Sequence, residues 1–370
     1  MKYKWLGIFV FTLLLWLPAA QMVTGFPRQP PIDENRKLAP APILNTWKDT
    51  HQYIGMAVKW FDDHFGYRDF LIRSKTQIDY SVFGISTKVH VGSDGWLFYR
   101  SVMDIEKPQV ELALRKNADE VVEGTRKLAN ALAARGVKLV IMVAPMKDVL
   151  YPKYLPSTAK QLPQPRQVDL LQARFRAMKE IIFIDSTVIL QEAAKQRSVF
   201  HKTDFHWNDP GAFDVARSLV NEIGRTEGKA VPVWAHKLNI EERIFSGGEA
   251  TFMPIFFPPE EHGLFVKPSW ILPPHIYTEK KVPYEWIYEA QESTGNQLPP
   301  ITVIGDSFFD GMSRSGIAVY FKKIYRTNWN SANLNELVSD LPSDTKYLFL
   351  EFIEVSSIAY KSLAAESQIK

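Results

Sequence analysis

The longest uncharged apolar run in the chain lies at its start, from Trp5 to Pro27, rich in Leu, Phe, Ile and Val. At ~20 residues it is long enough to cross the hydrocarbon of a bilayer. Lys2 and Lys4 precede it, so the positive-inside bias places the amino terminus in the cytoplasm and everything after Phe26 outside it. Trp5, Trp16 and Phe26 suit the interfacial aromatic belts. A cleavable signal wants small residues at the −3 and −1 positions, whereas cleavage after Ala20 would put Pro18 at −3. Residues 1–27 are read as a retained signal anchor; a cleaved signal and a buried core helix are the other meanings of such a run. Five prolines between 27 and 43 lock φ and remove donors, which makes 28–43 an extended tether. From Leu44 to Phe65 and from Arg68 to Phe83, apolar residues recur at helical spacing around Gly66. That predicts a helical hairpin within a segment at 44–85.

The remainder, 86–370, alternates between two periods. Val89 and Val91, then Ser93-Asp94-Gly95, then Trp96 to Tyr99 describe two short strands around a turn. Val121, Thr125, Leu128 and Leu132 share one helical face closed by Arg135-Gly136, and VKLVIMVAP follows as a buried strand. The pattern repeats with a helix over 168–178, the strand IIFID at 181–185, a helix to about Lys195, and a helix from Pro210 towards Ile223. Two further apolar strands, ITVI (301–304) and YLFLEFI (347–353), come late. Strands that are apolar throughout and separated by helices predict an α/β domain with a mainly parallel sheet.

Residues 230–300 interrupt this alternation with 10 of the 24 prolines and eleven aromatics, among them Trp234, Phe256, Phe257, Trp270, Trp286 and Tyr288. The stretch reads as an insertion. Its aromatics suit either a sugar-binding surface, since ring faces pack on pyranose faces, or a loop-rich lobe with a small core of its own.

Composition narrows the function classes. The formal net charge is +3 with no basic run longer than a pair, which leaves no footprint for nucleic acid. The absence of cysteine excludes disulfides, thiolate metal sites and a Cys nucleophile, and is compatible with an oxidising compartment.

Two segments carry candidate chemistry. Ile301 to Phe309 is a hydrophobic strand that ends in Gly305 and puts Ser307 where a helix begins. There a serine exposes its Oγ at the carboxyl edge of a sheet, beside backbone N–H groups able to receive an oxyanion. Asp306 or Ser307 would equally serve as an ordinary N-cap. Because residue 309 is Phe, the G-x-S-x-G elbow of α/β hydrolases is not met. The second segment is Thr203-Asp204-Phe205-His206-Trp207-Asn208-Asp209. Extended residues two apart point the same way, so Asp204 can accept from Nδ1 of His206 and leave Nε2 free to take a proton from a serine hydroxyl. The same residues also read as a solvated loop with Asp209 capping ahead of Pro210, or as a metal site of His201, Asp204 and His206 that lacks a fourth ligand. Lys147, after a strand end, and Tyr99 with Arg100, at the end of a hairpin, either face the cleft or serve the surface.

The chain resembles the AlgJ/AlgX-type alginate O-acetyltransferase family in VGSDGWLFY (91–99), VAPMKDVLYPKYLP (143–156), TDFHWND (203–209) and VIGDSF (303–308), with ENRKLAP (34–40) and WFDDHFGYRD (60–69) ahead of them. With no clear carbohydrate-binding module after this region, it is more similar to the membrane-anchored AlgJ type. The C-terminal stretch reads FLEFIEVSSI where the family pattern suggests a Glu-Arg pair.

The resemblance implies an SGNH hydrolase-like fold, a flavodoxin-like three-layer α/β/α arrangement with circularly permuted motif order. It implies Ser307 as nucleophile, His206 as general base and Asp204 as its orienter; Lys147, Tyr99, Trp207 and Asp306 are candidate lining residues, and no metal or cofactor is expected. The expected activity is transfer of acetyl groups to hydroxyls of an exopolysaccharide through an acetyl-serine. A multipass membrane-bound O-acyltransferase would be the acetyl supplier, and the enzyme would be periplasmic, anchored in the bacterial inner membrane. An exported acetylesterase with the same triad, or a polysaccharide-binding scaffold, are the competing expectations.

Overall fold

The computed structural model describes residues 2–28, 31–32, 36–43, 50–292, 297–331 and 333–365. Residues 29–30 and 33–35 of the expected tether, and 44–49 of the expected helical segment, lie outside them. The chain divides into two compact units, Met1–Ser86 with Thr251–Pro258, and Thr87–Ala250 with Pro259–Lys370.

In the first unit the helix Lys2–Thr24 contains one stretch, Lys4–Thr24, of mean hydropathy 2.0, long and apolar enough to cross a membrane. Helices Thr50–His64 and Arg68–Phe83 follow, the second closed by Gly84 at φ 63°. Thr251–Pro258 joins them through Gln77, whose Oε1 accepts from the N–H groups of Phe256 and Phe257, both at 3.0 Å.

Among the described residues the second unit holds eleven strands: β1 (Val89–Val91), β2 (Leu97–Tyr99), β3 (Lys138–Ala144), β4 (Ile181–Ile184), β5 (Ile240–Phe245), β6 (Glu261–Val266), β7 (His275–Lys281), β8 (Tyr284–Ala290), β9 (Ile301–Gly305), β10 (Lys323–Asn328) and β11 (Tyr347–Ile353). Seven form one sheet in the order β4-β3-β11-β9-β10-β8-β7. The five from β4 to β10 are parallel, and β8 and β7 continue the sheet antiparallel. β1–β2 and β5–β6 are separate antiparallel hairpins.

Apolar residues on successive positions of the central strands bury both faces. Val140, Met142 and Phe349 pack on one side with Phe213, Leu219 and Ile223 of the helix Asp209–Thr226, and with Phe308, Phe309 and Met312 of the helix Phe308–Arg314. Leu139, Ile141, Leu348 and Leu350 pack on the other with Leu114, Val121, Leu128 and Leu132 of the helix Lys107–Ala133. The result is the three-layer α/β/α arrangement.

The stretch 230–300 is not a lobe with a core of its own. Trp234 and Tyr288 are buried in the main core, and Trp270 and Trp286 pack against it. Its last part supplies β7 and β8, whose antiparallel pairing needs only a tight turn and so breaks the helix-strand alternation. β10, reading KIYRTN, is a strand that the apolar pattern did not reveal. It carries the buried Arg326, which pairs with Glu285 of β8, and the buried Thr327, which donates to Pro283 O at 2.8 Å.

Candidate active site

Parallel strands deliver their carboxyl ends to one edge of the sheet, and β9 ends there at Gly305. The turn that follows divides two tasks between neighbours. Asp306 Oδ1 accepts the N–H of Phe308 at 2.8 Å, capping the helix, while Ser307 makes no side-chain cap bond. The Ser307 hydroxyl is thereby free. It lies exposed, 2.7 Å from Nε2 of His206.

His206 belongs to the loop between the helix Ser186–Ala193, which follows β4, and the helix Asp209–Thr226. Its Nδ1 is 2.7 Å from Asp204 Oδ1, and the same oxygen accepts the His206 backbone N–H at 2.9 Å. With the carboxylate on Nδ1 that nitrogen carries the proton, and Nε2 is the acceptor facing Ser307. The imidazole lies between two rings, Phe205 at 4.0 Å and Phe308 at 4.9 Å between centroids. The three side chains are graded in access: Ser307 exposed, His206 26% and Asp204 15% exposed.

Burial pushes the Asp204 carboxyl up, but the His206 side chain, its positive charge when protonated, and the N–H groups of Gly248 and His206 outweigh that. Asp204 is held well below the usual carboxylate range and stays ionised. The Gly248 N–H reaches Asp204 Oδ2 at 2.7 Å, which occupies the carboxylate oxygen that His206 leaves free.

The remaining expected residues are placed differently. Lys147 is 1% exposed and lies behind Asp204, its Nζ donating to the carbonyls of Lys202 at 3.0 Å and Asp204 at 2.9 Å and to the Glu249 carboxylate. It does not line the cleft, because a buried ammonium takes three acceptors where it finds them. Trp207 is likewise core: its Nε1 donates to Phe308 O at 3.0 Å, and a Cβ on Gly311 would come within 2.8 Å of that nitrogen. Asp306 is structural, since besides Phe308 its Oδ2 accepts the N–H of Ile353 at 2.8 Å. Tyr99 is partly exposed and stacks at 6.5 Å on Phe205, one ring removed from His206. His201, the third residue of the metal reading, packs its ring against Phe245 and Phe265, and no group of three His, Cys, Asp or Glu side chains able to hold a metal forms among the described residues.

Other residues brace the loop that carries Asp204 and His206. Glu261 of β6 accepts from the N–H of Lys202 at 2.9 Å and from the N–H and hydroxyl of Thr203, both at 2.7 Å. Gly247 donates to Thr203 Oγ1 at 2.9 Å, and a Cβ there would meet the Asp204 Cβ at 2.5 Å, so only glycine allows the approach. Beneath Ser307, the Asp306 N–H donates to Glu351 Oε2 at 2.9 Å and the Asp306 carbonyl accepts from Arg326 at 3.2 Å. Burial pushes the Asp306 carboxyl up to about 6 and that of Glu351 well above its ordinary value, the latter helped by the charge of Asp306. The Gly-Gly-Glu run at 247–249 was the sequence signal for this bracing, legible only with knowledge of what it approaches.

Residues 89–312 match the family described as SGNH hydrolase-like domain, acetyltransferase AlgX. A probable alginate O-acetylase AlgJ of Pseudomonas aeruginosa is 32% identical over 183 residues, 48% of this chain and 44% of that one. The protein of the same description from Pseudomonas syringae pv. tomato is 30% identical over 204 residues, 53% and 49% of the two chains. The chain thus spans about half the length of the curated relatives it matches. Among solved structures, the O-acetyltransferase domain of Pseudomonas putida AlgJ superposes with a TM-score of 0.48 at 16% identity, covering 75% of this chain and 98% of that one. Bacillus cereus PatB1 gives 0.46 at 13% identity, covering 66% and 92%.

Proposed function

Because the chain belongs to the family of SGNH hydrolase-like domains typified by the acetyltransferase AlgX, we propose that it transfers acetyl groups to hydroxyls of an extracytoplasmic polysaccharide through an acetyl-serine on Ser307. The observation that carries this reading is the continuous relay from Ser307 Oγ through His206 to Asp204, with 2.7 Å at both contacts and the hydroxyl at the open end.

His206 Nε2 takes the Ser307 proton as Oγ forms its bond to the acetyl carbon, and returns it to the donor's leaving group as the donor's acyl bond breaks. Asp204, ionised and fixed on Nδ1, stabilises the imidazolium formed in between. A sugar hydroxyl then gives its proton to His206 and attacks the acetyl carbon, and the acyl bond to Ser307 breaks as His206 returns that proton to Ser307 Oγ. The developing oxyanion needs donors. The Ser307 N–H has no partner among the described residues and is available, whereas the Phe308 N–H is taken by Asp306.

The apolar helix at the amino terminus supports an anchor in the inner membrane with the second unit in the periplasm. A multipass membrane-bound O-acyltransferase as acetyl supplier is part of this proposal and rests on the family resemblance alone. The relatives described as alginate O-acetylases support a polysaccharide acceptor. The test uses the detergent-solubilised full chain with a chromogenic acetyl ester and oligosaccharides, read by mass spectrometry. Acetylated sugar that disappears in Ser307→Ala is the expected result. Free acetate alone, whatever the acceptor, would make the protein an esterase, and no Ser307-dependent turnover would leave the scaffold reading.

A further inference from the structure

Two sequence-distant groups meet behind Asp204. Lys147 comes from the turn after β3, and Glu249 from the short helix Gly248–Thr251 that follows β5. Both side chains are almost wholly buried, at 2% and 1% exposure, and they are ion-paired. Lys147 spends its other two bonds on the carbonyls of Lys202 and Asp204, so its three donors are all used. The rings of Trp96 and Phe98, at 6.0 and 5.4 Å from Nζ, wall it off from water. Glu249 is joined in turn to Gly248, whose N–H holds Asp204 Oδ2 at 2.7 Å.

These contacts close a ring through one residue. Asp204 is gripped at its main-chain carbonyl by Lys147 and at its carboxylate by Gly248, and the Lys147–Glu249 pair ties the two grips together. We infer that Lys147 and Glu249 are positioning residues for the general base, acting through Asp204 to fix the carboxylate on Nδ1 of His206. A pair serving stability alone would need no bond to the residue that orients the histidine. Charge-assisted bonds in a dry setting suit the task, being shorter and more directional than neutral ones. Burial pushes the Glu249 carboxyl up, against the pull of the Lys147 charge.

The consequence for catalysis rests on the acyl-transfer reading of Ser307, but the geometry of Asp204 and His206 can be followed without it. The test uses the full chain in detergent and two readouts. One is the low-field proton resonance of the His206 Nδ1–H bond, identified by its loss in Asp204→Asn. The other is kcat and KM with an acetyl ester. Lys147→Met/Glu249→Gln removes both charges together and so avoids a lone buried ion. The expected result is a cooperatively folded protein whose low-field resonance shifts upfield or broadens away, with kcat down about 10- to 100-fold and KM little changed. A folded double variant with the wild-type resonance and kcat overturns the inference. Should the double variant not fold, Glu249→Gln carries the test, with a shifted resonance and a severalfold lower kcat expected and an unaltered pair of readouts contradicting it. If the wild type shows no Ser307-dependent turnover, the function proposed above fails while the resonance still decides the positioning role.

Discussion

Trp207 donates its indole N–H to the carbonyl of Phe308 at 3.0 Å, so the residues that follow His206 and Ser307 are bonded to each other as His206 and Ser307 themselves are. Two segments 101 positions apart are thus joined twice at adjacent residues, once at the surface and once in the core. The inner bond sets the distance at which the outer one is made. Trp207→Phe keeps most of the apolar volume and removes the bond. It should cost about 1–2 kcal/mol, seen as a thermal midpoint lower by roughly 2–4 °C, and reduce kcat more than it changes KM. A variant with wild-type kcat would mean that the helix Phe308–Arg314 holds Ser307 in place unaided.

Substitutions in the relay should be graded. Ser307→Ala removes the nucleophile and should lower kcat by at least about 10³-fold. Asp204→Asn keeps the shape but offers Nδ1 a poorer acceptor, and should cost about 10²- to 10⁴-fold. Because the groups act as one unit, the double variant should be little worse than Ser307→Ala alone. Additive losses in steady-state kinetics would show that the three do not work together.

Gly247 has only backbone and the Asp204 Cβ to meet. A methyl group there would lie 2.5 Å from Asp204 Cβ and 2.5 Å from Thr203 O, and neither can swing away as a long side chain could. Gly247→Ala should therefore displace Asp204 and lower kcat about 10- to 100-fold. A loss in KM alone, with kcat intact, would place the effect elsewhere.

The central strands were legible because β3, β9 and β11 are apolar on both faces, and the Asp204–His206 spacing was legible because it is local. β10 was not, since its Lys, Arg, Thr and Asn positions look solvated until Glu285 and Pro283 supply their partners. β7 and β8 hid in a Pro-rich stretch because antiparallel edges need no helix between them. Lys147 was recognised as a polar residue at a strand end, but its direction depends on Glu249, 102 positions away. Contacts of that range leave no mark on local periodicity.

Buried carboxyls give the fold a pH dependence of definite sign. Burial raises Asp306 to about 6 and raises Glu351 well above its ordinary value. Each binds its proton more tightly in the folded chain than in the unfolded one, where carboxyls titrate near ~4. Their stabilisation is complete below that unfolded value and is lost as pH rises through their folded values. Asp204 works in the opposite sense, contributing above ~4 and losing its share only as pH falls below the usual carboxylate range. Glu351→Gln stays neutral throughout, so its thermal midpoint relative to wild type should improve between pH 5 and pH 8. An unchanged difference across that range would mean that Glu351 is ionised in the folded protein.

The proposed intermediate is a covalent bond between an acetyl group and Ser307 Oγ. Rapid quenching of the full chain with excess acetyl ester, followed by peptide mapping by mass spectrometry, reads that bond directly. An added acetyl is expected on the peptide containing Ser307, absent in Ser307→Ala and discharged when an oligosaccharide is supplied. Turnover of the ester with no acetyl on that peptide, or with the acetyl on another residue, would contradict that intermediate.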